Sequence, residues 1–391
     1  MAKINFDNIE VAFAHKSDKE LKQAYWIFTL FNIVWLNKIL SILGSIAFAI
    51  KLPVGFTVKG NIFKHFCGGT NLMNCESTVD IIKAHKVESN LDYSVEAKHS
   101  NAAFDKTRDE IVNNITFAAT TNSLTFTSLK ITGLCDSNIL EKLDSNKVLN
   151  PLESEDYDHA MFRLNEICKT AFDKKIKLFI DAEESWIQDT IDLLTDQMME
   201  MYNKEEVIIY NTFQMYRHDK LDFLKASHQR ALDKNYKLGA KLVRGAYIEK
   251  ETEYAFKHKK KSVICPSKDA TDQSFNAGTT FCLQNLDQIG LVAATHNEES
   301  SQQVIDIMES ENIAPTNRNV YFAQLYGMSD HISFNIAEAG YNVCKYIPYG
   351  PINDVIPYLI RRAQENTSIA GQMGRELSLL RSEMKRRQLI K

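Results

Sequence analysis

Eight short apolar or β-branched runs recur from about residue 90 onward, separated by charged stretches of helical length, and this alternation limits the fold more than any other feature. The runs are Leu91 to Glu96, Leu124 to Ile131, Ile176 to Asp181, Val207 to Thr212, Leu238 to Val243, Leu291 to Thr295, Val320 to Leu325 and Tyr341 to Tyr346. Between them, Asp156 to Phe172, Ser185 to Tyr202, Leu221 to Asp233 and Glu298 to Glu309 place apolar residues at three-four spacing, which predicts helices. Strands that alternate with helices imply an α/β fold with a parallel sheet, and eight of them fit a closed (β/α)8 barrel that leaves no free edge. An open doubly wound sheet is the alternative. Against it, no GxGxxG follows any run, and the Gly68-Gly69 pair falls in the N-terminal region. The expected division is a helical N-terminal arm over residues 1–88 and a barrel over residues 89–391.

A chain of 391 residues can bury a core of that size. Lys plus Arg (46) against Asp plus Glu (50) leaves a net charge of −4, which argues against a nucleic-acid partner. The seven cysteines form no CxxC pair and read as thiols in a reducing compartment. Met1 to Glu20 lack the apolar core of a secretory signal, so a cytoplasmic location is expected. Ala24 to Asn37 and Ile39 to Ile50 are strongly apolar but are interrupted by Lys38 and Lys51, and each is shorter than the roughly 20 residues a spanning helix needs. They predict buried helices, with a helix lying on a membrane surface as the alternative.

In such a barrel the chemistry sits at the C-terminal ends of the strands. Those ends offer Glu96, Lys130, Asp181, Gln214, Lys241 to Tyr247, Thr295-His296-Asn297, Leu325 and Tyr346. Each has an ordinary structural reading: Lys130 as a rim lysine, Asp181 as a helix cap, His296 as a core histidine. Several on one rim, however, would converge on one mouth. No HxH, HExxH or GxSxG is present, so neither a metal site nor an acyl-transfer nucleophile is predicted. Arg244-Gly245-Ala246-Tyr247 combines a cation with small residues that let an anionic cofactor approach the main chain. Near the C-terminus, Tyr358, Arg361, Arg362 and Glu365 share one face of a predicted helix. Two guanidinium forks beside an aromatic and a carboxylate suit a small amino acid, whereas a solvated i,i+4 ion pair is the bland alternative.

These motifs resemble, in their order, those of the proline dehydrogenases, flavin enzymes built on a distorted (β/α)8 barrel. The resemblance covers roughly residues 90 to 380. It rests on Lys130-Ile131-Thr132, Asp181-Ala182-Glu183-Glu184, Lys241-Leu242-Val243-Arg244-Gly245-Ala246-Tyr247, Thr295-His296-Asn297, Leu325-Tyr326-Gly327-Met328, Tyr346 to Gly350 and Tyr358 to Asn366. The KLVRGAY form and the run from Val320 to Asn366 resemble the mitochondrial type more than the bacterial bifunctional type, as does Phe66-Cys67-Gly68-Gly69-Thr70 in the arm.

The resemblance implies oxidation of L-proline to Δ1-pyrroline-5-carboxylate by hydride transfer from proline C5 to FAD N5. Arg361 and Arg362 would bind the carboxylate with help from Lys130, while Glu365 and Glu96 orient the arginines. Asp181, Leu325, Tyr346, Tyr358 and Tyr247 would line the ring. FAD would be held by Gln214, Lys241, Val243, Arg244, Gly245, Ala246, Tyr247, Lys268, Thr271, Thr295, His296 and Asn297. Where the bifunctional enzymes carry an arginine beside the flavin, this chain has Lys241, a point charge instead of a fork. Asp181 and water are both candidates for taking the amine proton. The implied partners are a quinone acceptor, reached by peripheral contact at the inner face of a membrane, and a separate pyrroline-5-carboxylate dehydrogenase. A trans-4-hydroxyproline dehydrogenase and a non-catalytic amino-acid-binding barrel are the alternatives; the bulk of Tyr346 argues against the first.

Overall fold

Each run becomes a strand in the computed structural model, which describes residues 3–31, 62–94, 100–121, 123–352, 354–355, 358–359 and 372–391. The strands are β1 (Glu88–Tyr93), β2 (Leu124–Leu129), β3 (Lys177–Ile180), β4 (Ile209–Gln214), β5 (Leu238–Val243), β6 (Ile289–Ala294), β7 (Val320–Leu325) and β8 (Val343–Tyr349). They close into one barrel in sequence order. The recorded pairings are parallel, as in Glu88↔Cys344 through Tyr93↔Tyr349 and Asn211↔Ala240 through Gln214↔Val243. Closure excludes the open sheet.

Three strand bounds shift by three residues, both ends of β1 and the end of β8. β1 begins at Glu88 because Ser89, Asn90 and Asp92 are buried in spite of their polarity, and β8 continues past Tyr346 to Tyr349 to match it. Glu96, placed at the end of the first run, lies outside the described residues.

Ahead of the barrel stand helices α1 (Ile9–Phe13), α2 (Asp18–Phe31), α3 (Ile62–Phe66) and α4 (Leu72–Ala84). Between the strands come α5 (Asn101–Thr120), α6 (Ser137–Asp144), α7 (Pro151–Lys174), α8 (Gln188–Tyr202), α9 (Lys220–Asp233), α10 (Ile248–Lys257), α11 (Lys268–Leu283), α12 (Glu298–Ser310) and α13 (Asp330–Glu338), and α14 (Gln372–Arg386) follows β8. Their ends are encoded locally. Asn150 accepts from the Glu153 N–H and Glu153 accepts from the Asn150 N–H, both at 3.0 Å, and Pro151 opens α7. Ala160, Leu164, Ile167, Cys168 and Ala171 then form its buried stripe.

The chain divides into two compact units, Ala97–Ala323 and Ala2–Glu96 with Gln324–Lys391. In the first, Phe126 stacks on Phe179 at 4.5 Å and meets Tyr321 edge-on at 4.8 Å, with Lys177 Nζ 4.7 Å above the Tyr321 ring. Phe126, Tyr321 and Lys177 sit in the N-terminal halves of their strands, and Phe179 continues the aromatic packing up β3. In the second, α1, α2 and α14 share a core of Phe13, Leu21, Phe28, Leu379, Leu380 and Met384. Among the described residues no helix is long and apolar enough to cross a membrane. The apolar stretch from Ala24 enters α2, where Ala24, Ile27 and Phe28 are buried, and Ile39 to Ile50 lie outside the described residues.

Candidate active site

In the unit Ala97–Ala323 the C-terminal ends of β2 to β6 are knitted by buried polar groups. Lys241, on β5, places Nζ 2.6 Å from Oδ1 of Asp181, just past β3, with both side chains nearly excluded from solvent. The Lys241 ammonium also lies 4.7 Å from the Phe179 ring centre. Asp181 therefore holds a cation at the barrel end; its expected alternative, a helix cap, is not what the ion pair describes. Lys130 closes β2 half-buried and precedes a short 3-10 turn, Ile131–Gly133.

Glu183 is a group that the sequence did not single out. Its carboxylate accepts from the Thr132 N–H at 3.0 Å and from the Thr132 hydroxyl, its own N–H donates to Gln188 Oε1 at 2.7 Å, and its carbonyl accepts from Gln214 Nε2 at 2.7 Å. Burial raises its carboxyl to about 7, against the pull of the two Thr132 hydrogen bonds and of Lys130. The DAEE motif marked its place, but the partner Thr132 lies 51 residues away, so the sequence carries no local sign of the bond.

The β5 to α10 connection holds the second cation. Arg244 Nε donates to Asp272 at 2.6 Å, Nη1 to Thr295 Oγ1 and Nη2 to Ser300 Oγ at 2.9 Å. Asp272 is held in turn by Lys268 at 2.6 Å. Gly245 has φ +133, and a Cβ there would stand 2.5 Å from the Tyr216 ring, so only glycine fits. Thr295 follows β6 and accepts the Asn297 N–H at 3.1 Å, and Asn297 caps α12 through Ser300 N–H at 2.8 Å. Thr271 is buried in the first turn of α11, His296 is half-buried, and Tyr247 is buried at the start of α10. Three cations, Lys241, Arg244 and Lys268, with the Thr295 hydroxyl and three helix N-termini, make a donor set that fits an anionic dinucleotide. Asp272 and Ser300, which organise Arg244, were also not anticipated.

In the unit containing Gln324–Lys391, half-buried Leu325 and buried Tyr358 meet in an apolar cluster with Phe63, Phe66, Met328 and Val355. The Tyr346 carbonyl accepts the Tyr326 N–H at 2.9 Å. Arg361, Arg362 and Glu365 lie outside the described residues. A cleft of about 460 Å3 among α9, α11 and α12 contains none of the candidate residues. Among the described residues no group of three or more His, Cys, Asp or Glu is placed to hold a metal.

The sequence profile of the family described as proline dehydrogenase matches residues 75–375. The chain is 32% identical over 379 residues to "Proline dehydrogenase 1, mitochondrial" of Dictyostelium discoideum, covering 86% of this chain and 66% of that protein. It is 33% identical over 323 residues to the carbapenem antibiotics biosynthesis protein CarD of Pectobacterium carotovorum subsp. carotovorum, covering 82% and 83% of the two. Its fold is similar to that of proline utilization A from Bdellovibrio bacteriovorus, with a TM-score of 0.72 at 20% identity over 83% of this chain and 36% of that one.

Proposed function

The chain belongs to the proline dehydrogenase family, nearer the mitochondrial members than the bacterial proline utilization A proteins, and on that premise we propose that it oxidises L-proline to Δ1-pyrroline-5-carboxylate with bound FAD. The observation that carries this reading is the buried Lys241–Asp181 pair together with the Arg244–Asp272–Lys268 cluster, three cations against two carboxylates, whose excess positive charge lies at the strand ends where an anionic reduced cofactor needs it. Gln214, Lys241 to Tyr247, Lys268, Thr271 and Thr295 to Asn297 hold the cofactor in this proposal. FAD, when bound, supplies the acceptor for the hydride that leaves proline C5.

The protein's own part is binding and orientation. Arg361 and Arg362 hold the proline carboxylate, with Lys130 adding charge and Glu365 and Glu96 aligning the forks. Asp181, Tyr247, Leu325, Tyr346 and Tyr358 surround the ring, which must present a neutral amine so that its lone pair assists hydride departure. The helical arm over residues 1–88, the barrel over 89–391, a quinone acceptor reached by peripheral contact with a membrane from the cytoplasmic side, and a separate dehydrogenase for the product complete the proposal.

A visible spectrum of the FAD-supplied protein, taken before and after anaerobic addition of L-proline, tests it. Bleaching by L-proline and not by trans-4-hydroxyproline is expected. A protein that holds flavin without bleaching would refute the substrate, and one that holds no flavin would refute the chemistry.

A further inference from the structure

The turn that follows β7, Leu325 to Asp330, is gripped by buried side chains from four places in the unit Ala2–Glu96 with Gln324–Lys391. Its backbone is unusual: Gly327 has φ +77 and Ser329, a non-glycine, has φ +51. Polar groups in such a turn cannot pair along a helix or a sheet, so side chains must satisfy them. Lys345 Nζ, on β8, donates to the Leu325 carbonyl at 3.3 Å and to the Met328 carbonyl at 2.5 Å. His65 Nε2, on α3, donates to the Gly327 carbonyl at 2.8 Å. Glu376, on α14, accepts the Ser329 N–H at 3.0 Å. The Asp330 carboxylate closes the set, with Lys345 Nζ 2.9 Å from one oxygen and Lys16 Nζ 3.0 Å from the other. Each of these five side chains is less than a tenth exposed.

Buried ionic groups of this kind are weak evidence for stability, because well-packed apolar residues of the same volume often do as well. Position is what they add. Lys345 directly precedes Tyr346, and neighbours on a strand point to opposite faces, so the lysine holds the strand from the side away from Tyr346. The same ammonium binds the Leu325 carbonyl, and Tyr326 N–H is tied to the Tyr346 carbonyl at 2.9 Å.

We propose that His65, Lys345, Asp330 and Glu376 are positioning residues that fix the Leu325 turn against Tyr346, so that the helical arm and the last helix take part in selecting the substrate ring. This rests on the assignment of Leu325 and Tyr346 to the ring-binding wall.

The test compares His65→Leu, which loses the donor, with His65→Gln, which keeps an N–H within reach, in the full-length FAD-supplied protein. His65→Leu is expected to raise KM for L-proline at least tenfold with a smaller change in kcat, and to narrow the preference for proline over trans-4-hydroxyproline. His65→Gln should restore both to within about threefold. If the two variants lower Tm alike and leave KM and preference unchanged, the clamp is merely structural and the proposal fails. Should His65→Leu not fold, Glu376→Leu against Glu376→Gln gives the same reading from the other end of the chain. Hydrogen exchange at the amides of residues 326 to 329 keeps the two ideas separate. Unaltered protein that does not bleach with proline would refute the substrate, whereas unchanged protection at those amides in the leucine variant would refute the clamp.

Discussion

Arg362 and Lys241 are both cations assigned to the proposed site, and they differ in how the chain announces them. Arg362 stands in a run, Tyr358 to Asn366, whose helical spacing alone gathers its expected partners on one face, so those nine residues offer a carboxylate-binding role beside the reading of a solvated ion pair. Arg362→Met is expected to weaken apparent proline affinity by about 2–5 kcal/mol, the usual cost of stripping one partner from a buried charge pair; titration of flavin bleaching measures it, and an unchanged midpoint would remove Arg362 from the site. Lys241 and Asp181 were each placed by a motif, but their pairing was not. Asp181 is 60 residues away, and only the closure of β3, β4 and β5 side by side brings the two within 2.6 Å. The clamp residues were less legible still. Lys16, His65, Asp330 and Glu376 look in the sequence like solvent-facing residues, and Lys345, though inside a predicted strand, has no partner marked by spacing, so nothing tells that all five are buried.

At the level of elements, the alternation of apolar runs with amphipathic stretches was enough to order eight strands, because period and length separate strand from helix in a closed barrel. Strand ends were less visible where polar residues are buried, as in β1. The connection from β5 to α10 shows how an element depends on one backbone position. Met215 and Tyr216 N–H groups donate to the Val243 and Arg244 carbonyls at 2.8 and 2.7 Å, and this draws the Tyr216 ring against Gly245. Gly245→Ala is therefore expected to destabilise the protein by about 1–3 kcal/mol from the backbone alone, with the overlap against Tyr216 added. Urea unfolding followed by circular dichroism would measure the loss, and a shift smaller than the backbone cost would show that the turn can relax.

For the whole molecule, two buried histidines and one buried glutamate respond to pH in opposite directions. His15 and His65, packed against Phe334 and Phe28, are pushed down by burial to about 4 and about 3, so between those values and their ordinary 6.5 the unfolded chain binds more protons than the folded one. The contribution of these two histidines to stability is thus lost as pH falls through that window. Glu183 is pushed up to about 7, so between its ordinary 4.5 and 7 its folded form binds more protons, and its contribution to stability falls as pH rises. Hydrogen exchange at pH 5 and pH 8 should show residues 62–94 opening more readily in acid and the loop after β3 opening more readily in base, with Glu183→Gln abolishing the second trend. A common direction at both places would contradict the assignment.

The division of the chain also has a consequence for how it is made. The unit containing α1 and α2 is completed by Gln324–Lys391, so its first part leaves the ribosome roughly 230 residues before its second. At about 5–20 residues per second that interval is on the order of 10–50 s. Throughout it Phe13, Leu21 and Phe28 have no Leu379, Leu380 or Met384 to cover them. The intervening segment, Ala97–Ala323, is synthesised in one piece during that interval, and the apolar faces of α1 and α2 need cover until Gln324–Lys391 emerges.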